Sequence, residues 1–178
     1  AFTPGQYVHA DHHAIVYVPG SSSRVLWGTD GGLYYTTNAD ITGGAKPTWT
    51  AKNTGYNVTQ YYSCAIHPTL TNYFLAGAQD NGTHQFTAAG MNSVTEVTGG
   101  DGGFTHIDQD EPNIQITSYV NNNYFVSTNG GASFVTRSKN GRGDFINPSD
   151  YDNTANILYA GDNQDSFYRW TSPATNGP

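Results

Sequence analysis

The chain has 178 residues, with 7 Lys+Arg against 14 Asp+Glu for a formal net charge of −7, and it contains 13 Tyr but one Cys. Cys64 alone supports neither a disulfide framework nor a Cys-based zinc site. The shortage of cations excludes general nucleic-acid binding, and no apolar run approaches the roughly 18 residues of a membrane helix.

Tyr, Phe, Ile and Val recur in short runs between 21 Gly and 8 Pro, which speaks against disorder and for an all-β chain. Four of these runs share a skeleton: Val25-Leu26-Trp27-Gly28, Phe74-Leu75-Ala76-Gly77, Gln115-Ile116-Thr117-Ser118 and Leu158-Tyr159-Ala160-Gly161. Their small end residues lie 49, 41 and 43 positions apart, the spacing of a propeller blade built from four short strands. Helices are excluded because the segments between Gly, Pro and Asn clusters are short and rich in β-branched and aromatic residues.

In chain order, the first repeat predicts strands over 14–18, 24–29, 33–37 and 48–52. The second predicts 63–67, 73–78, 83–87 and 93–98, and the third 104–108, 114–119, 124–127 and 133–137. The fourth predicts 145–147, 156–161 and 167–171, without a fourth strand. Pro19-Gly20, His67-Pro68, Glu111-Pro112 and Asn147-Pro148 are the breakers expected between the first two strands of each unit. The expectation is therefore a single propeller segment over 1–178, with blades at about 14–53, 62–99 and 104–139 and a partial blade at 145–172. Such a segment is expected to be part of a larger ring; alternatively, Phe2–Val8 supplies the missing outer strand of the last blade. Exposed inter-blade faces call for self-association, or for further polypeptide that completes the ring.

The third repeat contains Ser127-Thr128-Asn129-Gly130-Gly131-Ala132-Ser133-Phe134. The first contains Thr36-Thr37-Asn38, an insertion, and Gly43-Gly44-Ala45-Lys46-Pro47-Thr48-Trp49. Both resemble the Asp-box hairpin, with Asn in place of Asp. The Asx side chain caps turn amides, the glycines allow positive φ and the aromatic packs beneath. Asn38, Trp49, Ser127, Asn129, Gly131 and Phe134 are thus read as structural. Together with His9-Ala10-Asp11-His12-His13, Asp30-Gly31-Gly32, Gln79-Asp80-Asn81-Gly82 and Gly99-Gly100-Asp101-Gly102-Gly103, these phrases resemble the sortilin-type Asp-box propellers of large secreted bacterial proteins. More distantly they are similar to xyloglucan-cleaving glycoside hydrolases. The resemblance implies an extracellular or cell-surface setting.

Blade topology puts the loops between second and third strands on the same rim as the loops between blades. That sorting collects His9, Asp11, His13, Asp30, Gln79, Asp80, Asn81, Asp101, Asp162 and Asp165 at one mouth, along with Asn121–Asn123, Asp144 and Gln164. The alternation His9/Asp11/His13 puts three donors on one face of an extended segment, enough for a divalent metal. Imidazoles favour Zn, and the Asp/Asn/Gln loops alone favour Ca; the structural alternative is that these groups only hold tight loops, and no cofactor is required. As carboxylates for glycoside hydrolysis, which needs two groups about 5–9.5 Å apart, Asp30, Asp80 and Asp101 are the weak candidates, with Asp162 beside them. Arg24, Arg137, Arg142 and Arg169 are too scattered to form a sialidase cluster.

Three small motifs are discounted. Arg142-Gly143-Asp144 is read as a coincidental tripeptide, and the sequons at Asn57 and Asn81 matter only in a eukaryotic source. Cys64 is read as a small buried hydrophobe. The expected function is a non-catalytic binding or scaffold module that recognises a glycan, a peptide or a partner domain at the acidic rim. The alternative is a glycoside hydrolase fragment that uses the rim aspartates.

Overall fold

The computed structural model describes residues 5–56, 58–90, 94–138, 142–163 and 165–177. Phe2, Asn57, Ser93 and Gln164, which enter the sequence expectations, lie outside them. The chain is all β, and every sheet is an antiparallel meander. It divides into two compact units, 1–58 and 59–178.

The first unit holds one sheet in the order β1 (His12–Tyr17), β2 (Val25–Thr29), β3 (Gly32–Thr36) and β4 (Thr50–Ala51). Register shifts between His12 and Ala14, so His13 is an extra residue at the rim end of β1. Trp49 packs edge-on against Trp27 at 5.3 Å. Its amide donates to the Gly5 carbonyl at 2.5 Å, which ties the start of the described chain into this unit.

The second unit holds three sheets. The first is β5 (Tyr61–Ile66), β6 (Phe74–Ala78), β7 (Gly82–Phe86) and β8 (Thr95–Thr98); the next is β9 (Thr105–Ile107), β10 (Gln115–Ser118), β11 (Asn123–Ser127) and β12 (Val135–Ser138). The last is β13 (Ser149–Asp152), β14 (Ile157–Gly161) and β15 (Phe167–Thr171), with three strands. Among the described residues no fourth strand pairs with β15.

The second strands, β6, β10 and β14, are the most deeply buried because sheet faces pack on both sides of the middle sheet. Leu75 and Tyr73 meet Ile107 between the first two sheets, and Ile116, Tyr124 and Val126 meet Leu158, Tyr168 and Trp170 between the last two. Backbone approach is closest where the Gly99–Gly103 loop passes β6. A Cβ on Gly77 would sit 1.8 Å from the Gly103 carbonyl, and one on Gly102 would sit 2.2 Å from that of Gly82.

Two expectations are corrected. The strand expected at 145–147 is a turn instead, in which Asn147 accepts the Asp144 amide at 2.7 Å and donates back to the Asp144 carbonyl at 2.8 Å. Pro148 has no N–H, so it precedes the strand, and β13 starts at Ser149; Pro148 therefore lies at the rim of Gly161, to which its carbonyl bonds at 2.9 Å. Cys64 is exposed, not buried. Neighbouring Ser63 points toward the middle sheet, where its Oγ accepts the Thr105 amide at 3.2 Å. Strand alternation then aims Cys64 the other way, into an open groove of about 700 Å³ lined also by Tyr61, Tyr62, Ile66 and Phe74.

Candidate ligand rim

In the first unit the loop that precedes β1 and the β2–β3 turn meet at one end. The Asp30 amide donates to the Asp11 carbonyl at 3.1 Å. The bulge at His13 swings its ring outward, where Nε2 pairs with the Asp30 carboxylate. Asp11 has a left-handed φ of 56°, which breaks the alternation that would have aligned His9, Asp11 and His13. His9 instead lies over Gly31, where a Cβ would fall 2.4 Å from its side chain. Among the described residues, neither His9 nor His13 joins Asp11 in a cluster of metal-ligating atoms. Asn53 was not singled out by its sequence context, yet it holds this turn. Its Oδ1 accepts the Leu33 amide and its Nδ2 donates to the Gly31 carbonyl, both at 2.8 Å.

In the second unit the same end is built three times. The Gln79 amide donates to the Gln60 carbonyl beside a second bulge at Tyr61/Ser63, which matches the Asp11–Asp30 arrangement. Asp80 is left-handed (φ 59°), and its amide donates to Asp101 Oδ1 at 3.1 Å. Asn81 donates to the Gln79 carbonyl at 2.8 Å. Around the last two sheets, Asn121 and Asn122 are both left-handed. The Asn121 amide bonds to the Asp144 carbonyl at 3.1 Å. Asn122, 1% exposed, donates to the Gly161 carbonyl at 2.9 Å and accepts from the Tyr124 hydroxyl at 2.6 Å.

Asp162 receives Arg142 Nη1 at 3.1 Å, and its own side chain is only 8% exposed. Burial, and then the Asp162 charge, push the Tyr168 hydroxyl up to about 12. Burial, Tyr168 and Asp162 likewise raise Tyr124. Arg142 is thus occupied, and a Cβ on Gly143 would strike Asn147 and Asn122, so the Arg-Gly-Asp tripeptide is packed against the rim. Asp165 is exposed and left-handed.

The Asp-box residues serve their own hairpins. Asn129 Oδ1 accepts from the Ser127 hydroxyl at 2.8 Å and the Ser133 amide at 3.0 Å, while Ser127 Oγ accepts the Gly131 amide at 2.9 Å. Asn38 Oδ1 accepts from the Thr36 hydroxyl at 2.7 Å and the Thr48 amide at 3.0 Å. Phe134 packs on the Tyr73–Leu75–Ile107 cluster. Gly131 leaves room for Tyr73, whose hydroxyl donates to Gln115 Oε1 at 2.8 Å and accepts from Gln85 Nε2 at 2.7 Å.

The arrangement is thus a class of all-β, blade-type meanders whose rim carboxylates cap backbone amides or pair with cations. No family model matches the chain, and no curated protein matches it. Among solved structures the chain is similar to an ancestral GH74 enzyme, with a TM-score of 0.45 and 17% identity over 93% of this chain and 26% of that one. The chain spans about a quarter of that enzyme's length.

Proposed function

We propose that this chain is a non-catalytic binding and scaffold segment of an Asp-box-type propeller, which presents its polar rim to a glycan, a peptide or a partner domain. The observation that carries this reading is how the rim carboxylates are used. Asp30 is paired with His13, Asp101 accepts the Asp80 amide, and Asp162 holds Arg142. Groups committed in this way shape a surface, whereas general acid–base chemistry on a glycoside needs two carboxyls facing each other across an open cleft.

The scaffold part of the reading is supported by apolar side chains on both faces of the first sheet. Val16, Leu26 and Leu33 are exposed on one face, and Ile15 and Tyr17 on the other. Paired surfaces of this kind suit further protein, either a second copy or additional blades. An extracellular or cell-surface setting belongs to the same proposal and rests on the Asp-box resemblance.

The test is a glycan and peptide panel read for both binding and hydrolysis, with wild type, Asp30→Asn, Asp80→Asn and Asp101→Asn. Binding without turnover supports the proposal. Turnover lost in one folded Asp→Asn variant overturns it in favour of a glycoside hydrolase.

A further inference from the structure

We infer that the turn after β5 is a proton-operated latch, in which protonation of His67 opens residues 67–72 and reshapes the cavity they wall, whereas the matching turn of the next repeat keeps its cap. The two turns have the same backbone frame. His67 and Asp108 stand 41 positions apart, as Gly77 and Ser118 do. The His67 amide donates to the Tyr73 carbonyl and the Tyr73 amide to the Leu70 carbonyl, both at 3.0 Å. One repeat later the Asp108 amide donates to the Ile114 carbonyl at 3.0 Å, and the Ile114 amide to the Glu111 carbonyl at 2.8 Å.

The frames differ in the group that caps them. Asp108 Oδ1 accepts the Asp110 and Glu111 amides, both at 2.8 Å. At the same offsets His67 Nδ1 accepts the Thr69 amide at 3.2 Å and the Leu70 amide at 3.1 Å, with the Thr69 hydroxyl at 3.4 Å. A backbone amide can only donate, so Nδ1 presents its lone pair and the ring proton sits on Nε2. Protonation makes Nδ1 a donor aimed at two donors, and both amides lose their acceptor. A carboxyl oxygen keeps an acceptor lone pair in either protonation state. The imidazole therefore makes acid-labile what the carboxylate holds throughout.

Tyr73, just before β6, bounds the opening. It is 9% exposed, its ring meets the His67 ring edge-on at 5.3 Å, and its hydroxyl is held by Gln115 and Gln85. It stays in place as the hinge while Thr69 and Leu70 are released. Those two residues, with Asn72, Tyr73 and Thr87, line a cavity of about 350 Å³, so one of its walls moves with the proton. The loop after β9 also packs on this turn, since Gln109 Nε2 donates to the Ile66 carbonyl at 3.2 Å. That loop carries Asp108, Asp110 and Glu111. Tyr151 holds Asp108 and Asn153 holds Asp110, and among the described residues none of the three carboxylates pairs with His67.

The test compares amide-exchange protection in the two turns of the full chain at about pH 8 and about pH 5, the span over which imidazoles change charge. Protection at Thr69, Leu70 and Tyr73 is expected to fall on the order of tenfold between those two conditions. Asp110, Glu111 and Ile114, their counterparts one repeat later, should hold theirs. His67→Asp should remove the acid response, and His67→Ala should lose the protection in both conditions. Parallel loss at the two turns overturns the assignment, as does an acid response that survives in His67→Asp. A ring-nitrogen NMR spectrum that places the proton of neutral His67 on Nδ1 overturns it as well. If His67→Asp fails to fold, the comparison of the two turns within the wild-type chain decides.

Discussion

Asp108 and Tyr151 lie 43 residues apart and are joined by a 3.0 Å hydrogen bond from the tyrosine hydroxyl to Oδ2, the middle rung of a three-rung ladder. His106 meets Ser149 at 2.9 Å and Asp110 receives Asn153 at 2.7 Å, each pair again separated by 43. His106 lies on β9 and Ser149 and Tyr151 lie on β13, with Asp108, Asp110 and Asn153 just past the strand ends, so the ladder ties the adjacent sheets together at the register that the Ser118-to-Gly161 spacing announces.

Tyr151→Phe tests the central rung. Asp108 is 1% exposed and, among the described residues, would keep the Asp110 and Glu111 amides as donors. Loss of the hydroxyl should cost about 1–3 kcal/mol in chemical denaturation; a change within error would make the rung dispensable.

Stability should fall on both sides of neutrality. Burial lowers His106 to about 4, with Asp150 opposing the shift. As pH drops, the unfolded chain therefore takes up this proton near 6.5 while the native chain does not. Stability present above pH 6.5 is lost between about 6.5 and 4, on the order of 3 kcal/mol. Tyr124, Tyr151 and Tyr168 are raised above 10, chiefly by burial, so stability present below pH 10 is lost as pH rises beyond it. Thermal melts against pH should show both limbs, and His106→Gln should flatten the acid one.

Gly28 and Gly77 occupy the same repeat position but should respond differently to alanine. At Gly77 the new Cβ meets the Gly103 carbonyl at 1.8 Å, whereas at Gly28 the nearest atom is Ala14 Cβ at 3.5 Å. Gly77→Ala should destabilise by about 2–4 kcal/mol through overpacking against backbone, and Gly28→Ala should stay within about 1 kcal/mol. Equal melting temperatures for the two variants would contradict this.

Asn129→Ala should cost about 1–2 kcal/mol, because the Ser133 amide and the Ser127 hydroxyl lose their common acceptor. Denaturant midpoints measure it, and Asn129→Asp, which keeps the acceptor, should restore most of the loss.

Cys64 should react with maleimide in the native protein at a rate close to that of the unfolded chain, since it is exposed in an open groove. Strong native protection would show that something covers that face.

Much of the architecture was legible because it is local. Gly and Asx turns separate short β-branched and aromatic runs at intervals near 43 residues, and the Asn129 and Asn38 hairpins are closed by groups within a few residues or one insertion. Within each unit the loops that carry the expected rim residues were legible as turns between neighbouring strands. Their pairings were not: one bulged residue redirects His13 to Asp30, and a single left-handed Asp11 dissolves the apparent His/Asp/His alignment.

The sequence by itself determined the number and order of the strands and the turns that join them, because those follow from φ preferences and two-residue periodicity along the chain. Only the tertiary structure decided which face of each sheet is covered, where β13 begins after Pro148, and which distant side chains form the 43-residue ladder. These depend on what packs across a sheet, and a strand's own residues do not encode its neighbour.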